Sequence, residues 1–154
     1  MERKINIRLF DPSGTVYPVH NNTFGVSDSI DGSDFKVIAG MESFTPSFEG
    51  TVESWYDMTQ EGWQDSLVTG KAFSIALSGK RVYGDAGNDL VAGLYGAIGT
   101  AANKRFQWTF ANGAKLEFAC AIDVTNIGGG DTTGVDSLEC TVYCKGKPTY
   151  TPKA

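Results

Sequence analysis

The chain has 154 residues, is 41% hydrophobic and 20% charged, carries a net charge of −5, and contains three cysteines. That length and balance fit one domain burying roughly two thirds of the surface its unfolded chain would expose, and exclude a disordered chain. No apolar run approaches the ~20 residues needed to cross a bilayer as a helix, and a net acidic charge argues against a surface that grips nucleic acid through many phosphates.

The N-terminal stretch "KINIRLF" (4–10) reads either as a strand or as a mobile arm. The opening residues lack the apolar core of a secretory leader, so synthesis in the cytosol is expected. Residues 11–34 are polar and rich in turn formers, which predicts an irregular stretch. "DFKVIAG" (34–40) predicts a short strand. Residues 40–70 place Phe44, Phe48, Val52 and Tyr56 in one register and Glu49, Thr51, Glu53 and Trp55 in the other. This alternation predicts a long strand feeding an extended loop that carries Trp55, Tyr56, Met58 and Trp63 among acids. A small domain rarely leaves so many large apolar groups uncovered, so either a partner subunit or internal packing must cover them.

"KAFSIALS" (71–78) turns Phe73, Ile75 and Leu77 to one side. "YGDAGNDLVAG" (83–93) predicts the one helix, with Asn88 as its cap, Asp89 in the first turn, and Leu90, Val91, Leu94, Tyr95 and Ile98 along one face. Gly93 costs such a helix about 1 kcal/mol relative to Ala. "KRFQWTF" (104–110) points Phe106, Trp108 and Phe110 inward, and the "ANGA" turn joins it to "AKLEFACAIDV" (114–124). There Leu116, Phe118, Cys120, Ile122 and Val124 alternate with Lys115, Glu117, Ala119, Ala121 and Asp123. The last strand repeats the scheme, with Leu138, Cys140, Val142 and Cys144 against Ser137, Glu139, Thr141 and Tyr143. About six or seven strands with Gly-containing turns and one helix predict a mainly β fold, an antiparallel sandwich or partial barrel.

Motifs that could carry chemistry fail on context. "GDAGNDL" resembles one turn of a calcium-binding nonapeptide repeat, but such repeats work only when stacked, and a helix follows this one. "GWQDSLVTGKAF" is too widely spaced for a phosphate loop and has Ala72 where a magnesium-holding hydroxyl would stand. His20 is the sole histidine, and no Ser or Cys has a recognisable base beside it in sequence. The cysteines form no Cys-x-x-Cys pair, and Cys140 and Cys144 would lie about 13 Å apart on one strand, beyond bridging range. They are expected to be buried thiols. No enzyme, no cofactor and no metal site is expected.

The span from "GTVESWYDMTQEGWQDSLVTGKAFSIALSGKRVYGDAGNDLVAGLYG" through "FQWTFANGAKLEFACAIDV", the glycine loop "GGGDTTGVDSLE" and the closing "GKP" resembles the tail tube proteins of tailed bacteriophages, their major tail proteins. The likeness covers about residues 36–150 and rests on the order of these features more than on any one of them. It implies one tail-tube domain over 1–154: residues 1–34 a partly mobile arm or loop, 40–70 a long strand with an inter-subunit loop, and 146–154 a tail. The absence of an appended immunoglobulin-like domain implies no surface decoration.

The resemblance further implies a structural virion protein, made in the host bacterial cytoplasm, whose hexameric rings stack into a tube around a continuous inner β-barrel. DNA would pass through the lumen without specific binding, and other tail proteins (tape measure, tail terminator, distal tail) would be partners. Lys115, Glu117, Asp123 and Glu139 become candidates to line an acidic channel, or are ordinary solvated strand faces. Trp55, Tyr56, Met58 and Trp63 become candidate inter-subunit contacts. Two alternatives stay open: the tube of a contractile tail, tailocin or secretion system with the same fold, and a carbohydrate-binding β-sandwich using Trp55, Trp63 and Trp108 as platforms.

Overall fold

Period-two alternation of apolar residues builds almost the whole molecule. A computed structural model describes residues 14–153, so the "KINIRLF" segment lies outside the described residues. In chain order the elements are β1 (Thr23–Ser27), β2 (Lys36–Val37), β3 (Met41–Tyr56), β4 (Gln64–Lys80), α1 (Ala86–Ala92), β5 (Asn103–Thr109), β6 (Lys115–Asn126), β7 (Ser137–Cys144) and β8 (Thr149–Thr151). Single 3₁₀ turns lie at Val19–Asn21, Met58–Gln60 and Gly99–Ala102.

All strands join one antiparallel sheet in the order β2-β1-β5-β6-β7-β4-β3, with β8 added to β6. Among the described residues the sheet does not close, since β2 and β3 are its two edges. It curls far enough for Phe24 on β1 to meet Phe44 on β3, with ring centroids 4.8 Å apart. The expected mainly antiparallel β architecture with one helix is therefore present, as a single curled sheet in the form of a partial barrel rather than two stacked sheets.

The concave face holds the core. Phe106, Phe118, Ile75, Leu138, Val26 and Val142 are fully buried there, each worth roughly 1.5–3 kcal/mol relative to exposure. Phe73 meets Phe118 edge-on at 5.3 Å, and Trp108 stacks on Phe24 at 6.3 Å. Val91, Ala92 and Leu94 bring α1 onto the same core.

Several expectations need correction. Thr23–Ser27, inside the stretch read as irregular, forms β1 and pairs with both β2 and β5; its alternation is too short to stand out beside its turn-forming neighbours. The extended loop at 40–70 is a hairpin whose second half is strand, with Tyr56 opposite Gln64. The helix is capped by Asp85, whose carboxylate accepts from the Asn88 amide at 3.0 Å. It ends at Ala92, so Tyr95 and Ile98 are exposed instead of lying on its buried stripe. Within the expected C-terminal tail, Thr149–Thr151 form β8.

Candidate functional site

β4 pairs with β7 only from Ser74 onward, whereas β3 and β4 continue together from Glu49–Ala72 to Tyr56–Gln64. This extension is a free two-stranded arm, about 20 Å long at ~3.3 Å per residue. Its base carries a bulge: Thr51 pairs with Gly70 and Val52 with Val68, leaving Thr69 unpaired, its hydroxyl donating to the Thr51 carbonyl at 3.2 Å. A bulge bends and twists a ladder locally.

The arm is apolar on both faces. Phe48, Val52, Val68 and Tyr56 continue the core register into solvent, while Trp55 and Leu67 stand on the other side. All are more than two fifths exposed, and at the tip Met58 is 99% and Trp63 78% exposed. The four contact candidates Trp55, Tyr56, Met58 and Trp63 are therefore brought together, none of them packed into this chain's core. The sequence reading missed Leu67 and Val68, because they lie in the half of the hairpin taken as loop.

The tip is shaped by its own bonds. The Asp57 carboxylate accepts from the Thr59 amide at 3.2 Å and hydroxyl at 3.0 Å. The Trp63 amide donates to the Gln60 carbonyl at 2.9 Å, and the Gln60 side chain reaches Asp65 at 3.3 Å. Glu61 at φ 54° and Gly62 at φ 88° complete the reversal in the left-handed region. Glu49, Glu53, Asp57, Glu61 and Asp65 make the arm acidic, with no Lys or Arg between them.

The convex face of the sheet is the second surface. Register places Lys115, Glu117, Asp123 and Glu139 on it, together with Ser74, Ala76, Ala119, Ala121 and Thr141. Lys115 and Asp123 are exposed. Glu117 is half-buried and accepts from the Gln107 amide at 2.9 Å; half-buried Glu139 accepts from Asn126 at 3.1 Å. Arg105, opposite Ala119, adds a positive charge to this face, on the outward register of "KRFQWTF". Most side chains on this face are small or polar, with Tyr143, half-exposed, opposite Ser74 and Ala121.

The "YGDAGNDL" stretch works as a structural knot. Buried Asn88 donates to the carbonyls of Ala39 at 2.9 Å and Lys80 at 3.0 Å, and accepts from the Val82 amide at 3.0 Å and Arg81 at 2.9 Å. Arg81 also pairs with Asp89 at 2.7 Å. A Cβ at Gly87 would collide with the Val37 carbonyl, so only glycine lets α1 lie this close to β2. Asp85 and Asp89 are thus occupied as a cap and an ion-pair partner. Cys120 and Cys140 are buried, and burial pushes both thiols up to about 12. Register sets Cys120 directly opposite Cys144 across β6 and β7, a juxtaposition invisible in linear spacing, although all three thiols are free. The Trp108 indole donates to Asn22 at 3.0 Å and is half-buried among phenylalanines, so it offers no open platform.

No family model and no curated protein matches the chain. Solved structures do. A chain of the tail of an empty gene transfer agent particle, refined helically with C6 symmetry, superposes with a TM-score of 0.71 at 18% identity, covering 89% of this chain and 100% of that one. A chain of the native gene transfer agent virion gives 0.67 at 20% identity, with the same 89% and 100% coverage. The chain therefore shares the fold of a chain from the tail of a gene transfer agent particle.

Proposed function

We propose that this chain is a tail tube protein: a structural, non-enzymatic virion component whose hexameric rings stack into the tube that conducts the genome. The observation that carries this reading is the arm. Six large apolar residues on its two faces are each more than two fifths exposed on a single chain, and β3 leaves its outer edge unpaired among the described residues. An exposed long edge and a two-faced apolar ribbon are liabilities unless a second copy covers them. The C6 symmetry of the tail that shares the fold supports six as the copy number.

In such a ring the convex polar face supplies the channel wall, with Glu117, Asp123 and Glu139 repelling phosphate and Lys115 and Arg105 offsetting part of the charge. Tape measure, terminator and distal tail proteins would meet the ends of the stack. Negative-stain microscopy of the purified protein, concentrated at low and high salt, tests the reading. Annular or tubular particles with six-fold views are expected; a monodisperse monomer at every concentration would overturn it. Trp55 and Trp63 also suit a glycan platform, and a glycan screen that scores hits on a monomeric protein would favour that alternative.

A further inference from the structure

At the base of the arm, on the same end of the sheet from which it projects, a groove of ≈700 Å³ opens between Phe48, Leu116, Pro148 and Tyr150, with Lys71 and Lys147 on its rim and Cys144 in its wall. Its surroundings are basic. Residues 145–153 contain Lys145, Lys147 and Lys153 and no acid, while residues 49–65 of the arm carry five acids and no base, the arm's one lysine, Lys71, standing at its root on the groove side. An acidic protein has thus sorted its charge so that an apolar, acidic protrusion and an apolar, basic recess occur on one chain. A second recess, between Val37 and Met41 near the open seam, has Glu42 on its lining and no lysine, so it lacks this complementarity.

We infer that the arm tip of one copy, Trp55, Met58 and Trp63 flanked by Asp57 and Glu61, docks into the groove of a neighbouring copy lying side by side in the same ring. The inference rests on the tube reading above. A chain cannot fill its own groove, because the tip stands about 20 Å from the base along an intact ladder. A copy displaced along the arm would present its opposite end, whereas a copy alongside presents the groove. The bulge at Thr69 and the flanking Gly50 and Gly70 give the base the bend needed to lean the arm sideways. Tip and groove are different surfaces, so the contact is heterologous, and a rotation that closes makes it a ring. Opposite charges fix which surface meets which.

The test uses Cys144 as a built-in reporter. Met58 is fully exposed, so Met58→Cys leaves the fold intact. The variant is assembled, treated with a short bis-maleimide, and read both on a denaturing gel and by negative stain. Covalent ladders that stop at six, lost when Cys144→Ser is added, are expected. Ladders that run past six would place the contact between stacked rings and overturn the side-by-side arrangement. Normal rings or tubes with no Cys144-dependent ladder would overturn the docking and leave the tube reading standing, while absence of any ring from the unsubstituted protein would overturn both. As a second arm, Lys71→Glu with Lys147→Glu should abolish ring formation, and Asp57→Lys with Glu61→Lys in the same chain should restore it; rings unaffected by the first pair would also overturn the proposal.

Discussion

The region around α1 and the arm of β3 and β4 are opposites built from similar residue types. Around α1, Val91, Ala92 and Leu94 are buried, and no buried side-chain polar atom among the described residues lacks a hydrogen-bond partner. Asn88 alone ties together Ala39, Lys80, Arg81 and Val82. Along the arm, two tryptophans, a tyrosine and a methionine stand in solvent. The comparison separates two jobs: one end of the molecule supplies folding free energy, and the other, on the function proposed above, holds apolar surface for association.

Substitutions can break that division, and the largest effect is expected in the core. Phe118→Ala removes a fully buried ring and should cost about 4 kcal/mol in urea unfolding, taking assembly with it through loss of the fold. Asn88→Ala strands backbone carbonyls and an amide and should cost roughly 2–3 kcal/mol, seen as a clear drop in Tm. Trp63→Ala should change unfolding free energy by less than about 0.5 kcal/mol and yet suppress ring formation. A Trp63→Ala protein that assembles normally, or one that unfolds much more easily, would erase the distinction between the two regions.

The smallest expected effect is alkaline. Burial holds the Cys120 and Cys140 thiols at about 12 against 9.0 for a free thiol, so folding favours their protonated form. Their contribution to stability is complete below about pH 9 and is lost as pH rises toward 12. The unfolding midpoint should therefore fall more gently with pH in Cys140→Ala than in the parent above pH 9. At neutral pH a maleimide should label Cys144, partly open to the groove, well before the other two. Equal labelling rates for all three would show that the core end opens as readily as the arm.

Much of this could be read directly from residues. The alternation of Leu116, Phe118, Cys120 and Ile122 names the buried face of β6 without any partner in view, because a period of two permits only one way to hide those side chains. The same holds for Phe73, Ile75 and Leu77 on β4 and for Leu138, Cys140 and Val142 on β7. The arm's aromatic residues were recognisable as surplus apolar surface, although half of their setting was misread. In 57–70 the turn, a bulge and hydrophobic residues facing both ways dilute the alternation that marks a strand.

What sequence alone determined is which side chains must leave water, since that follows from local period and hydrophobicity. Which strands become neighbours, that β1 bridges β2 and β5, that Cys120 faces Cys144, that Asp85 rather than Asn88 caps the helix, and that an acidic tip and a basic groove share one end of the sheet were decided only by tertiary structure. The reason is physical. Burial is a property of each residue and its near neighbours, whereas pairing order and register are set by the curl of the whole sheet, which brings together residues far apart in the chain.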